Sequence, residues 1–419
     1  MYQLNLRKKS LKTSQANREA RISNLPEGVI IHILSRLPTK YAWTFSYNID
    51  MDDSKPFRSC KKTKFVNSVE RVLFFSQNVK SFRLSCCEKY DLNRITAWIS
   101  AVLRRNHDGI VLPLRSLVNC TSLKKLELKL PCIFKVPMKN CFPNLTILYL
   151  EEVEILNTQS ITEPLKITFP VVETCELIRC KLLKVKIVEL FAPALTKFKS
   201  VPPDEAEVND YSNNIHGSRL VKFESSSELL ETFDMSNSPI SYATLLSFRV
   251  TSLEKSGLQV RKLLKGFSSL KELELSGAVV KAIAQSKHGV ALPRYNSLER
   301  LVMSSSGSSE ALLEILHASP HLKHLDIDVR YWDRYDYDAV RSVPSCVSSS
   351  LEEVKFNFFD FSGKKSEFYL AKFLLKNAIL LKKVHLSAIS YRTELKNEIL
   401  EELSTFPKNS VCCLTIVVT

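Results

Sequence analysis

The chain has 419 residues, 45% of them hydrophobic and 25% charged, with 59 lysines and arginines against 44 acids for a formal net charge of +15. That length holds two or three domains with ample material for a core, and no apolar run approaches the ~20 residues of a transmembrane helix. Only nine glycines are present, and neither a phosphate-cradling G-x-G-x-x-G or Walker-type loop nor a G-x-S-x-G nucleophile elbow occurs, so the common catalytic scaffolds find no support.

The leader, residues 1–20, carries Arg7, Lys8, Lys9, Lys12 and Arg18 against Glu19. It lacks the apolar stretch of a secretory signal, which leaves a solvated disordered leader or a weak nuclear-import patch. Next, the motif Ile22 to Lys40 contains a predicted helix. Asn24 can cap it and Glu27, three residues on, closes a capping box. Pro26 suits the first turn, Pro38 ends the run, and Val29, Ile30, Ile33, Leu34 and Leu37 form one apolar stripe.

From there onward a short phrase recurs, L-x-x-L-x-L with other apolar residues allowed. The clearest copies are Leu123/Leu126/Leu128, Leu145/Leu148/Leu150, Leu270/Leu273/Leu275, Leu298/Leu301/Met303 and Leu322/Leu325/Ile327. Looser ones are Val79/Phe82/Leu84, Val172/Cys175/Leu177, Leu230/Phe233/Met235, Leu351/Val354/Phe356 and Leu381/Val384/Leu386. Neighbouring copies are mostly roughly 22–28 residues apart, the period of leucine-rich repeats, each a strand with a returning helix or irregular arm. Charged residues such as Lys124, Lys125 and Glu127 sit between the leucines, so alternation turns leucines inward and charges outward. One unit cannot cover its own apolar side, so neighbours must stack. The stretch Val201–Arg219, with two prolines and three asparagines, interrupts the series as a loop or an irregularity.

The C-terminal stretch continues the alternation: strands over Leu351–Phe361, Leu381–Ile389 and Val411–Val418, and helices over Ser366–Ala378 and near Leu395–Ser404. Its expected role is to cover the open end of the stack, with an interaction module as the alternative.

Eleven scattered cysteines, several in core slots such as Cys175, suit a reducing compartment, the nucleus or cytoplasm. No C-x-x-C pair exists, and His317, His321 and His324 lack a confirming carboxylate or cysteine pattern, so neither a metal nor any other cofactor is expected. The basic charge is diluted through repeats rich in acids, with no aromatic-lined basic stripe or nucleic-acid-binding motif, which argues against nucleic acid as a partner. No membrane partner is expected.

Taken together, these segments resemble the plant F-box/FBD/leucine-rich-repeat family. Arg21 to Lys40 resembles the opening of an F-box. Phe65–Leu84 and Tyr90–Asn106, with Trp98 and Arg104-Arg105-Asn106, look like the family's elements after it. Val343-Pro344-Ser345-Cys346, Ser349–Val354, Ala371–Ala378, Leu381–Val384 and Leu403–Lys408 look like the FBD stretch. The resemblance implies an α/β leucine-rich-repeat solenoid with parallel strands and helical or irregular returns, flanked by a short helical F-box remnant and an FBD-like α/β cap. The corresponding organisation is a leader (1–20), a truncated F-box (21–44), connector helices with a first repeat strand (45–110), repeats (111–342) and the FBD-like end (343–419).

What the resemblance implies for function is a non-catalytic substrate receptor of an SCF-type ubiquitin ligase. A Skp-type adaptor would dock on Leu25, Pro26, Ile33, Leu34, Leu37 and Pro38, and an unidentified protein substrate on the repeats. One departure falls on the adaptor motif. Where relatives continue into a further helix with tryptophans, Ala42-Trp43-Thr44 here runs directly into Phe45–Asp53, and about half of the F-box is missing. A ligase-independent repeat scaffold is therefore the second reading.

Overall fold

The structure is a computed structural model that describes most of residues 48–418. Residues 1–47, 54–61, 105–122, 136–141, 204–211, 389–400, 406–412 and several shorter stretches lie outside the described residues.

The first elements are β1 (Asn48–Asp52), α1 (Lys62–Phe75), β2 (Ser81–Ser85), α2 (Leu92–Arg104), β3 (Lys125–Lys135) and β4 (Ile147–Leu156). A run of short strands follows: β5 (Leu165–Thr168), β6 (Thr174–Ile178), β7 (Lys181–Leu183), β8 (Ile187–Phe191), β9 (Lys197–Val201), β10 (Ser212–His216), β11 (Lys222–Ser225), β12 (Phe233–Asp234) and β13 (Tyr242–Leu245). Helices then return: α3 (Leu253–Lys265), β14 (Glu272–Ser276), α4 (Gly277–Gln285), β15 (Arg300–Ser304), α5 (Ser309–Ala318), β16 (His324–Asp328), α6 (Ser345–Ser349), β17 (Glu353–Asn357), α7 (Ser366–Asn377), β18 (Lys383–Ala388) and β19 (Cys413–Val418).

Among the described residues, one 15-stranded sheet runs β1-β2-β3-β4-β6-β9-β11-β13-β14-β15-β16-β17-β18-β19, with β7 beside β4. Neighbours pair in parallel throughout, and register places the phrase leucines in a single column: Leu126 opposite Leu148, then Cys175, Phe198, Phe223, Ala243, Leu273, Leu301, Leu325, Val354 and Val384. Every member of that column is buried, within one hydrophobic cluster that runs from Ile49 to Leu403. Each buried leucine contributes about 1.5–3 kcal/mol relative to exposure, and none is covered by its own unit alone.

What lies on the return side changes along the chain. Residues 165–234 are rich in β-branched residues and carry Pro170, Pro193, Pro202 and Pro203, which suit extended arms better than helices. They form a second parallel sheet, β12-β10-β8-β5, with Leu165, Ile167, Val188, Leu190 and Ile215 buried. From residue 253 the returns are leucine- and alanine-rich and helical.

Three expectations are corrected here. Phe233 of the Leu230/Phe233/Met235 copy lies on β12, paired with β10 in the second sheet, so it is not a rung of the ribbon. An extended return arm carries the same alternation as a ribbon strand, and the phrase alone does not distinguish them. The rungs in this region come instead from Leu195/Phe198, Leu220/Phe223 and Ile240/Ala243/Leu245, which are buried. Second, the expected interruption at Val201–Arg219 contains β10, a regular member of the second sheet. Third, a strand, β1, precedes the one at Ser81–Ser85 and pairs with it in parallel.

The C-terminal stretch covers β16 by extending the same ribbon. β17 pairs with β16 through Leu325↔Val354 and Ile327↔Phe356, and β18 and β19 follow in register. Residues 401–403 are helical, and most of the helix expected near Leu395–Ser404 lies outside the described residues.

Candidate functional site

A parallel ribbon whose inner side chains are committed to the core leaves the alternate positions of fourteen strands on one open face. Along β1 to β4 that face is a charge lattice. Arg83 donates to Asp50 at 2.7 Å and to Asp52 at 3.2 Å, and stands 3.7 Å from Glu127, which also holds Lys125 at 2.8 Å. Asp50 and Asp52 raise the Arg83 pKa against the opposing effect of burial, so the guanidinium is fixed in its charged form.

Where β4 leaves the ribbon, Glu151 is buried and accepts from Tyr149 Oη at 2.7 Å. Lys129 lies 3.4 Å away, and Arg179 reaches both Glu151 and Glu152. Glu152 and Arg179 adopt φ of 62° and 51°, a left-handed conformation that costs a non-glycine residue free energy; their ion pair joins the two strained corners. Burial raises the Tyr149 pKa, and the Glu151 carboxylate adds to it, so the phenol stays protonated and able to donate.

The middle of the face carries further ion pairs, with apolar residues among them. Ile147, Ile178, Val201 and Leu246 are half-buried there, and Tyr242, at 43% exposure, is the large aromatic that projects furthest among the described residues of the ribbon. Tyr242 sits opposite Lys222 on one side and Glu272 on the other. Val221, exposed beside it, accepts the Tyr242 backbone N–H at 3.1 Å. Lys222 and Lys199 both hold Glu224, at 2.7 and 3.0 Å; burial pushes that carboxyl up, and the two lysines outweigh it to leave the pKa below the usual value.

Toward the C-terminal end, Glu353 is bracketed by His324 Nδ1 at 3.3 Å and His385 Nε2 at 3.1 Å, with Lys355 at 3.4 Å. His324 thus faces Glu353 on the ribbon; among the described residues no group of three or more His, Cys, Asp and Glu side chains is placed to hold a metal ion. Cys86, Cys175, Cys180 and Cys346 are buried, and burial raises the Cys180 thiol pKa to about 11 and those of Cys175 and Cys346 to about 12. Such thiols are packing residues, with almost no thiolate at neutral pH.

The residues expected to meet an adaptor, Leu25, Pro26, Ile33, Leu34, Leu37 and Pro38, lie outside the described residues. Tyr242 carried no sequence signal of its own, because the phrase Ile240/Ala243/Leu245 around it contains an alanine and was not recognisable as a repeat.

Comparison with known proteins supplies the remaining observation. The FBD family model matches residues 340–386. Over almost its full length the chain is similar to F-box/FBD/LRR-repeat proteins of Arabidopsis thaliana. One is 26% identical and covers 96% of this chain and 95% of its own length; a second is 27% identical over 94% and 96%. An FBD-associated F-box protein of the same plant is 24% identical over 88% and 93%. No helix among the described residues is long and apolar enough to cross a membrane.

Proposed function

We propose that this chain is the substrate-recognition subunit of an SCF-type ubiquitin ligase. Its N-terminal helix would dock on a Skp-type adaptor through Leu25, Pro26, Ile33, Leu34, Leu37 and Pro38, and the open face of the ribbon would hold a protein substrate. The observation that carries this reading is the end-to-end similarity to F-box/FBD/LRR-repeat proteins, on a chain whose described residues present one long solvent-facing sheet.

In this role the chain does no covalent chemistry. It raises the effective concentration of a substrate lysine beside the charged ubiquitin carrier. The anchor for substrate is Tyr242 with Val221. An exposed aromatic set among residues whose charges are already paired gains contact area on binding without stranding an ion, the pattern of an interface hot spot. The compartment of action is the nucleus or cytoplasm.

The test is co-purification of the full chain with a Skp-type subunit, abolished by Leu34→Asp. If wild-type protein fails to bind at micromolar concentration, the ligase reading is abandoned for a ligase-independent interaction scaffold. The observation that favours this second reading is the direct passage from Ala42-Trp43-Thr44 into Phe45–Asp53. A shortened F-box gives up adaptor contact, and at ~25 cal/mol per Å2 a few hundred Å2 corresponds to several kcal/mol of affinity.

A further inference from the structure

Tyr242 stands where the balance of charge on the ribbon reverses. On one side, Lys199 and Lys222 share Glu224, and Lys197 holds Glu176 at 2.7 Å. On the other, the outward positions of β14, β15 and β16 carry Glu272, Glu274 and Asp326 against Arg300 and His324, with Asp328 held by Arg330 at 2.5 Å. In a chain whose cations outnumber its acids by 59 to 44, this stretch of the face has a surplus of carboxylates.

Register fixes how these groups meet the ring. Glu272 lies level with Tyr242, and Glu274 lies level with Thr244, diagonally across from the ring on the same strand as Glu272. A diagonal neighbour on a sheet is within reach of a long side chain. Arg300 is divided between Glu272 at 3.6 Å and Asp326 at 3.5 Å, Asp326 also accepts from Asn357 Nδ2, and His324 Nδ1 is turned toward Glu353. Glu274 is different: among the described residues its carboxylate takes only the neutral Thr244 hydroxyl, at 3.3 Å. It is half-buried, and its neighbour on β15 is the half-buried Val302, so water solvates it only in part. Lys271 stands before the entry of β14, beyond Glu272.

We propose that Tyr242 and Glu274 form the specificity position of the ribbon for an arginine of the bound protein, its guanidinium stacked on the phenol ring and its charge set against Glu274. This rests on the reading of the open face as the substrate-binding surface. An exposed ring face attracts a cation through its quadrupole, and arginine can stack and ion-pair at once because its fork is planar. A carboxylate brought to the same place would meet Glu272 and Glu274 as like charges, and a neutral side chain would leave Glu274 without a counter-ion. The lysines across the ring are committed to Glu176 and Glu224 and lie on its other side.

The test uses the full chain and three fluorescent octapeptides read by anisotropy: one alternating arginine with serine, one with citrulline, the uncharged isostere, in place of arginine, and one with glutamate. The arginine peptide should bind about tenfold more tightly than either of the others, against the general repulsion expected from a chain of charge +15. Tyr242→Leu and Glu274→Gln should each weaken it about fivefold, the upper range for an exposed cation–π contact or ion pair. Tyr242→Phe, which keeps the ring, should recover most of what Tyr242→Leu loses. Glu299→Gln, which removes an exposed carboxylate 3.2 Å from Lys323 before the start of β15, controls for general attraction. The substituted side chains lie on the wet face, so melting temperatures should match wild type. The proposal is overturned if the arginine peptide binds no better than the citrulline peptide, or if Tyr242→Leu and Glu274→Gln weaken it no more than Glu299→Gln. Adaptor co-purification reads the N-terminal helix and not this position, so a chain that holds the adaptor while treating the three peptides alike loses the arginine preference and keeps the receptor reading.

Discussion

Arg261 and Glu314, 53 positions apart, meet in a two-pronged ion pair with contacts of 2.6 and 2.7 Å. The arginine on α3 is 1% exposed, and its remaining N–H groups donate to Ser286 Oγ, the Val290 carbonyl and the Ile283 carbonyl. One side chain therefore links α3, the end of α4 with the loop after it, and α5, three successive returns. Replacing it by alanine should lower unfolding free energy by about 3–5 kcal/mol, the range for breaking a buried charged network. Arg261→Lys should recover little of that, because an ammonium cannot reproduce the planar fork. Urea denaturation of the three proteins checks this; near-equal midpoints would remove the network from any stabilising role.

Leu273 and Lys271 sit two positions apart with opposite surroundings. Leu273 is fully buried in the column, and Lys271 is exposed. An unpaired carboxylate in place of Leu273 is unfavourable by several kcal/mol, and nearest-neighbour coupling spreads the damage to the rungs on either side. Leu273→Asp should expose several adjacent segments to limited proteolysis, whereas Lys271→Ala should leave the digestion pattern unchanged.

A Cβ on Gly307 would stand 2.1 Å from Trp332 Cζ3. Gly307→Ala must push the indole off Ser309, breaking its 2.8 Å bond, at a cost of about 1–3 kcal/mol typical of overpacking. The emission of Trp332 should shift to the red, measured in a background where Trp43 and Trp98 are phenylalanine. An unshifted spectrum would mean that the loop has room to spare.

Acid stability should depend on Glu224. Its folded pKa lies below the ordinary 4.5, with Lys222 and Lys199 outweighing burial. A carboxyl depressed on folding contributes stability above its unfolded pKa and loses that contribution as pH falls through the folded value. Glu224→Gln should therefore reduce the melting temperature at neutral pH and flatten its decline below about pH 4.5. Parallel melting curves for the two proteins across pH 3–7 would show that the lysines give Glu224 no net advantage.

Tyr242→Ala should leave thermal stability within about 0.5 kcal/mol of wild type, as expected for an exposed side chain, and should sharply reduce capture of whatever protein the full chain binds. Unaltered capture would move the anchor elsewhere on the face.

The ribbon was legible in the sequence wherever both leucine slots were filled by large aliphatics, as at Leu270/Leu273/Leu275, because burial of one face of a strand selects that alternating pattern. It was illegible at β9, β11 and β13, where Ser200, Ser225 and Ala243 occupy core positions and the return arms alternate just as the ribbon does. That His317 ends a helix and His324 flanks a strand leucine was readable in the sequence, whereas the approach of His324 to Glu353 depends on strand register.

Backbone pairing crosses from β16 to β17 without a seam, so the two sequence territories that meet near residue 343 behave as a single physical body. A chain severed there would present two raw, mutually complementary surfaces, and the halves, produced side by side, should find one another and knit back together, while either half alone should precipitate.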